Sequence, residues 1–132
     1  MARQIPIVNY LVLDDGPPHL VAYESEDSGA LSLVRRNADP RSGGTRFRRR
    51  KLETTGKVRA FTIVHRAALG VPVPFVSALV DLDGGGVVSA NLRGVNPDPA
   101  KIEFGMPVRL ATFVAGQDDD GTEAIAFAFE PA

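Results

Sequence analysis

The sequence predicts an all-β protein built on a small five-stranded barrel, closed or nearly so, and three observations carry that reading. Five segments between Val58 and Phe129 are rich in β-branched and aromatic residues. Each is bounded by turn signals, in a chain of 132 residues with 13 Gly and 10 Pro. No helical periodicity between them outlasts a turn or two. Periodicity alone leaves open which small barrel, or which sandwich, the strands form.

Residues 1–19 read as an N-terminal lead, because Pro6, Pro17 and Pro18 interrupt any amphipathic helix there, and His19 falls in the same flexible stretch. Residues 20–50 are a turn-rich segment and residues 51–132 the barrel. The first barrel strand runs from Val58 to His65. The second, Phe75 to Leu82, stops at Asp83-Gly84-Gly85-Gly86, a hairpin turn that returns the chain as Val87 to Leu92. Asn96-Pro97-Asp98-Pro99 breaks the chain before Gly105-Met106-Pro107 leads into Val108 to Val114. A last turn, Asp118-Asp119-Asp120-Gly121, precedes Glu123 to Phe129.

Charge is sharply segregated behind a net value of −1. Residues 1–34 sum to −4, residues 35–59 to +8 and residues 60–132 to −5. The middle block contains Arg35, Arg36, Arg41, Arg46, Arg48, Arg49, Arg50 and Lys51. Such a block is either an anion-attracting surface or the charged edge of a sheet, where Arg and Lys discourage sheet-to-sheet pairing. Phe47 is the single aromatic inside it, fewer than single-strand nucleic-acid binders interleave with their charges. The absence of Cys excludes disulfides, thiol redox chemistry and a Cys nucleophile. No run is long and apolar enough for a membrane span, and Met1 to Pro6 lacks the apolar core of a signal peptide, so a soluble cytoplasmic protein is expected.

Ser25, Ser28, Asp39 and Ser42 are spaced x2, x10, x2, with Gly29 and Gly43 after the second and fourth. Cysteines at these positions would make a zinc ribbon of two tight turns, each presenting two thiolates. Hydroxyls stay protonated near neutral pH, so this set is not expected to bind zinc.

Several short motifs, in order, carry a family resemblance. Thr55-Gly56-Lys57-Val58, Phe61 to Arg66, Pro74 to Gly84, Asn91-Leu92-Arg93-Gly94-Val95 and Ile102 to Val108 resemble the acyl-CoA-associated OB-fold family, in which a rubredoxin-like zinc ribbon precedes an OB barrel. The resemblance spans roughly residues 20–130 and implies that the family's zinc cysteines fall at Ser25, Ser28, Asp39 and Ser42. The chain departs from the family in lacking all four and in its shortened N-terminal helical segment. It implies a five-stranded OB barrel behind a degenerate, metal-free ribbon held by turn hydrogen bonds and packing of Leu20, Tyr23, Leu31, Leu33 and Phe47.

The resemblance further implies a non-catalytic accessory subunit of a thiolase-fold aldolase or thiolase acting on acyl or steroid side chains, in a heteromeric complex. A MaoC-like enoyl-CoA hydratase is an alternative partner, and a single-stranded nucleic-acid module is the alternative function. The chain is expected to bind no cofactor itself, with a CoA thioester shared at the level of the complex. Arg46, Arg48, Arg49 and Arg50 are candidates for CoA phosphates or an acidic partner face, because guanidinium pairs with phosphate through two parallel bonds. His65 and Arg66, at the end of the first barrel strand, complete the candidate set. Val71-Pro72-Val73-Pro74 reads as a rigid loop over a partner's active-site mouth.

Independent catalysis finds little support. His65 is a lone strand-end histidine, Gly84-Gly85-Gly86 lacks the Lys-Ser/Thr of a phosphate loop, and Asp118-Asp119-Asp120 lacks the spacing of a calcium loop.

Overall fold

The computed structural model describes residues 3–132. In chain order its strands are β1 (Gln4–Pro6), β2 (Leu11–Val12), β3 (His19–Ser25), β4 (Leu31–Ser32), β5 (Phe47–Lys51), β6 (Thr55–Val64), β7 (Phe75–Leu82), β8 (Val87–Leu92), β9 (Pro107–Gln117) and β10 (Glu123–Pro131). The helical content among the described residues is one 3-10 turn, Pro99–Lys101, whose first amide is capped by the Asp98 carboxylate.

Strands β6 to β10 form a closed five-stranded OB barrel. The hydrogen-bonded order is β6-β7-β8-β10-β9, and β9 returns to β6. The pairs are antiparallel except β8 with β10, which meet in parallel at Leu92 and Phe129. Closure requires β6 to serve two neighbours. Its first residues pair with β9 while the strand from Gly56 onward pairs with β7, so Gly56 lies opposite both Leu82 and Val108. A Cβ at Gly56 would sit 2.4 Å from the Asp81 carbonyl oxygen, which explains glycine at this crowded corner. A register shift between Val58 and Ala60 leaves Arg59 as a bulge and coils the strand around the barrel.

The strand alternation sends Val58, Val76, Ala78, Val80, Leu82, Val88, Val108 and Phe129 into the interior, with Ile102 from the β8–β9 connection. Full burial of side chains of this size stabilises by about 1.5–3 kcal/mol each. Leu11, Leu20, Ala22 and Leu52 belong to the same apolar cluster. The small sheet formed by β3 with β2, β4 and β5 therefore shares its core with the barrel.

The N-terminal residues are more ordered into this frame than the prolines suggest. β1 runs parallel to Glu123–Ile125 at the start of β10, and β2 pairs with the start of β3. His19, expected in a flexible stretch, is instead the buried first residue of β3, and its Nδ1 donates to the Pro17 carbonyl at 2.9 Å. The barrel strands match the expected segments, but β6 starts three residues earlier, at Thr55, and β9 runs on to Gln117.

Candidate functional site

The four positions with zinc-ribbon spacing converge. Each pair sits on the same turn: the Gly29 amide donates to the Ser25 carbonyl at 2.9 Å, and the Gly43 amide donates to the Asp39 carbonyl at 2.7 Å. The turns close alike, Ser25 N to Ala30 O at 2.9 Å and Asp39 N to Gly44 O at 2.7 Å. Gly29 and Gly43 both take φ of 75°, a left-handed conformation that favours glycine.

Asp39 is the hub. Its side chain is buried with the residue 2% exposed, Ser28 Oγ and Ser42 Oγ both donate to its Oδ2, the latter at 3.0 Å, and the Arg41 amide donates to Oδ1 at 2.8 Å. The Ser25, Ser28 and Ser42 hydroxyls and the Arg41 amide together hold the carboxyl well below the usual carboxylate range, Ser25 contributing most. Ser25 Oγ in turn accepts weakly from the Asp27 and Ser28 amides. Three hydroxyls and one carboxylate, engaged with one another and with turn amides, do not fit a zinc ion that binds thiolate and imidazole. Hydrogen bonds join the two turns where the resemblance puts a metal.

Strand β5 carries the arginine run, and its pairing with β3 divides the charges between two faces. Glu24 lies opposite Arg48, and Arg50 lies opposite Ala22 on the same face. Glu24 accepts from Arg48 Nε at 2.7 Å and from Arg50 Nη1 at 2.8 Å, and these two guanidiniums hold its carboxyl below its ordinary value. Arg50 Nη2 also donates to the Gly84 carbonyl at 2.6 Å, tying β5 to the β7–β8 turn of the barrel. On the other face Arg49 lies over the ring of Tyr23, 4.7 Å from its centroid. Arg35, Arg36, Arg46, Arg49 and Arg66 make no ion pair among the described residues.

The candidate set is thus split by the fold. Arg46, Arg48, Arg49 and Arg50 belong to the small sheet or its edge. His65 and Arg66 follow β6 in the exposed β6–β7 loop. The loop and the Gly84 turn lie at opposite ends of β7, whose eight residues span about 25 Å. Arg48 and Arg50 are partly neutralised by Glu24, a partner that no sequence spacing announces. Tyr23 beside Arg49 is likewise invisible before the register is known.

The β6–β7 loop presents the apolar surface of the barrel end. Residues 65–74 are all exposed, Leu69 completely, and they include Val71 and Val73. A separate apolar feature is Phe104, 73% exposed, which packs against Phe61 with ring centroids 5.4 Å apart. Among the described residues no helix is long and apolar enough to cross a membrane.

Comparison with known proteins gives this geometry its relatives. Residues 49–114, half of the chain, match the family described as "ChsH2, C-terminal OB-fold domain". A DUF35 domain-containing scaffold protein of Pyrococcus furiosus is 32% identical over 108 residues, covering 80% of this chain and 78% of that one. The 3-oxo-4,17-pregnadiene-20-carboxyl-CoA hydratase alpha subunit of Mycobacterium tuberculosis is 40% identical over 77 residues, 58% of this chain. The chain spans only 22% of the length of that subunit. Among solved structures, the Ltp2-ChsH2(DUF35) aldolase superposes with a TM-score of 0.68 at 28% identity, covering 86% of this chain and 84% of that one.

Proposed function

The chain belongs to the family of the ChsH2 C-terminal OB-fold domain, and from that premise we propose that it is a non-catalytic accessory subunit of an enzyme acting on acyl-CoA thioesters. Its partner is a thiolase-fold aldolase or thiolase, the complex is cytoplasmic, and the CoA thioester is held at the level of the complex. The observation that carries this reading is the likeness, over most of both chains, to the component of the Ltp2-ChsH2(DUF35) aldolase. The name of the Pyrococcus furiosus relative, a scaffold protein, agrees with it.

In this reading the barrel, residues 51–132, is the docking body and residues 20–50 a ribbon that needs no metal. The exposed Leu69, Val71 and Val73 suit an apolar seat on the partner, since a mobile aqueous role would not favour so many uncovered apolar side chains in one loop. Arg46, Arg49 and Arg66 are the candidate cations with no ion pair among the described residues, available for CoA phosphates or acidic partner residues. Catalytic groups belong to the partner.

Co-expression with a thiolase-fold aldolase or thiolase from the same organism tests the proposal. The expected result is a stable heteromer on size exclusion whose lyase or thiolase activity requires both chains, and which Leu69→Asp dissociates. Co-elution failure together with full activity of the partner alone would overturn it. The 40% identity to a hydratase subunit favours a second arm with a MaoC-like enoyl-CoA hydratase as the co-expressed partner.

A further inference from the structure

Two adjoining clefts lie on the small sheet, away from the loop assigned to the partner. One, of about 290 Å³, is lined by Tyr23, Arg35, Arg36, Phe47 and Arg49. Its neighbour, of about 250 Å³, is walled by Ala30, Leu31, Pro40 and Arg41, and the two share Arg36 and Phe47. Each is close to the lower end of the roughly 300–1,000 Å³ of common small-ligand sites.

The two compartments differ in chemistry. The first gathers three guanidiniums without an acidic residue in its lining. None of the three forms an ion pair among the described residues. Arg49 is steadied over Tyr23, and Arg36 Nε donates to Ser32 Oγ at 3.3 Å, so two of the three forks are already oriented. The second compartment has one apolar wall, Ala30, Leu31, Pro40 and the half-buried ring of Phe47, facing Ser32, Arg36, Asp39 and Arg41. Its single acid, Asp39, is ionised, but its oxygens are engaged by Ser28, Ser42 and the Arg41 amide, and Arg36 and Arg41 in the same lining outnumber it.

We infer that this bipartite cleft binds a nucleoside diphosphate, with the phosphates on Arg35, Arg36 and Arg49 and the base against Phe47, Leu31 and Pro40. Guanidiniums recognise phosphate oxygens in parallel pairs, and a flat ring gains by stacking on an aromatic or apolar wall. The groove has room for one base, not the succession of stacking rings that a strand of nucleic acid needs. This inference does not depend on the accessory role: it is read on this chain alone, and an accessory subunit with an empty cleft would still bind its partner.

Calorimetric titration of the full chain with ADP, pyrophosphate, adenosine and adenosine 3′,5′-bisphosphate tests it. ADP is expected to bind one to one, more tightly than pyrophosphate or adenosine, and more weakly at high salt. Arg35→Ala with Arg36→Ala should weaken ADP at least about tenfold. These are exposed residues, so unchanged circular dichroism and thermal midpoint will show that the loss is local. Phe47→Leu should weaken ADP while leaving pyrophosphate unchanged. Tighter binding of the bisphosphate than of ADP would identify the same chemistry on the nucleotide end of a CoA thioester. The inference is overturned if ADP shows no saturable binding up to about 1 mM, if pyrophosphate binds as tightly as ADP, if the double arginine variant binds unchanged, or if a single-stranded oligonucleotide binds more tightly than ADP with a multi-nucleotide footprint.

Discussion

Asp39 is the residue on which the ribbon turns depend. A buried carboxylate is tolerated when every oxygen is matched by donors, and here the Ser28 and Ser42 hydroxyls and the Arg41 amide do so. Because its folded pKa lies below the unfolded value of about 4, Asp39 contributes stability that is fully present above that pH and is lost as pH falls toward the folded value. The Asp39→Asn variant should therefore be less stable than the parent at pH 7, with the difference narrowing between about pH 4 and pH 2. Urea midpoints measured across that range check the sign; a constant difference would contradict it. Gly56 illustrates the opposite kind of constraint, space rather than charge. Gly56→Ala should cost about 1–3 kcal/mol by chemical denaturation, since the added methyl meets backbone at Asp81 and cannot displace a flexible side chain.

At the scale of elements, the two turns at 25–30 and 39–44 share one geometry. Their matched hydrogen bonds and shared left-handed glycines bring four side chains together around Asp39. A chain carrying Ser25→Cys, Ser28→Cys, Asp39→Cys and Ser42→Cys should accordingly take up one zinc per molecule. Cobalt substitution should give the visible spectrum of a tetrahedral thiolate site. Absence of stoichiometric metal would mean that the turns are spaced for hydrogen bonds alone. Strand β5 also joins levels. Arg50 reaches Glu24 within the sheet and Gly84 on the barrel, so part of the arginine run is a structural brace.

For the molecule as a whole, one apolar cluster runs from the barrel into the root of the small sheet. Phe129, 1% exposed on β10, sits at the parallel contact with β8 that closes the barrel. Phe129→Ala is expected to cost about 3–5 kcal/mol, and because the core is continuous, hydrogen exchange should report loss of protection in β3 as well as in the barrel strands. Loss confined to the barrel would indicate that the sheet holds itself. Association belongs to this scale too: the Leu69→Asp change alters an exposed loop and should leave stability within about 0.5 kcal/mol while removing partner binding.

By itself the sequence determined the class of fold, the five barrel strands and the positions of the two turns. These features are written locally, in β-branched runs, in glycines that demand left-handed backbone and in spacing along the chain. The family resemblance then narrowed a small barrel to an OB barrel, because several ordered motifs constrain topology where alternation alone does not. Only the tertiary structure decided what each charge does. The run from Arg46 to Lys51 reads as one block, yet pairing of β5 with β3 gives Arg48 and Arg50 to Glu24 and turns Arg49 onto Tyr23. It also brought Arg35 and Arg36 to that second face and left His65 and Arg66 at the far end of β7. The physical reason is that strand register joins residues more than twenty positions apart, and a shift of one residue exchanges the two faces of a strand.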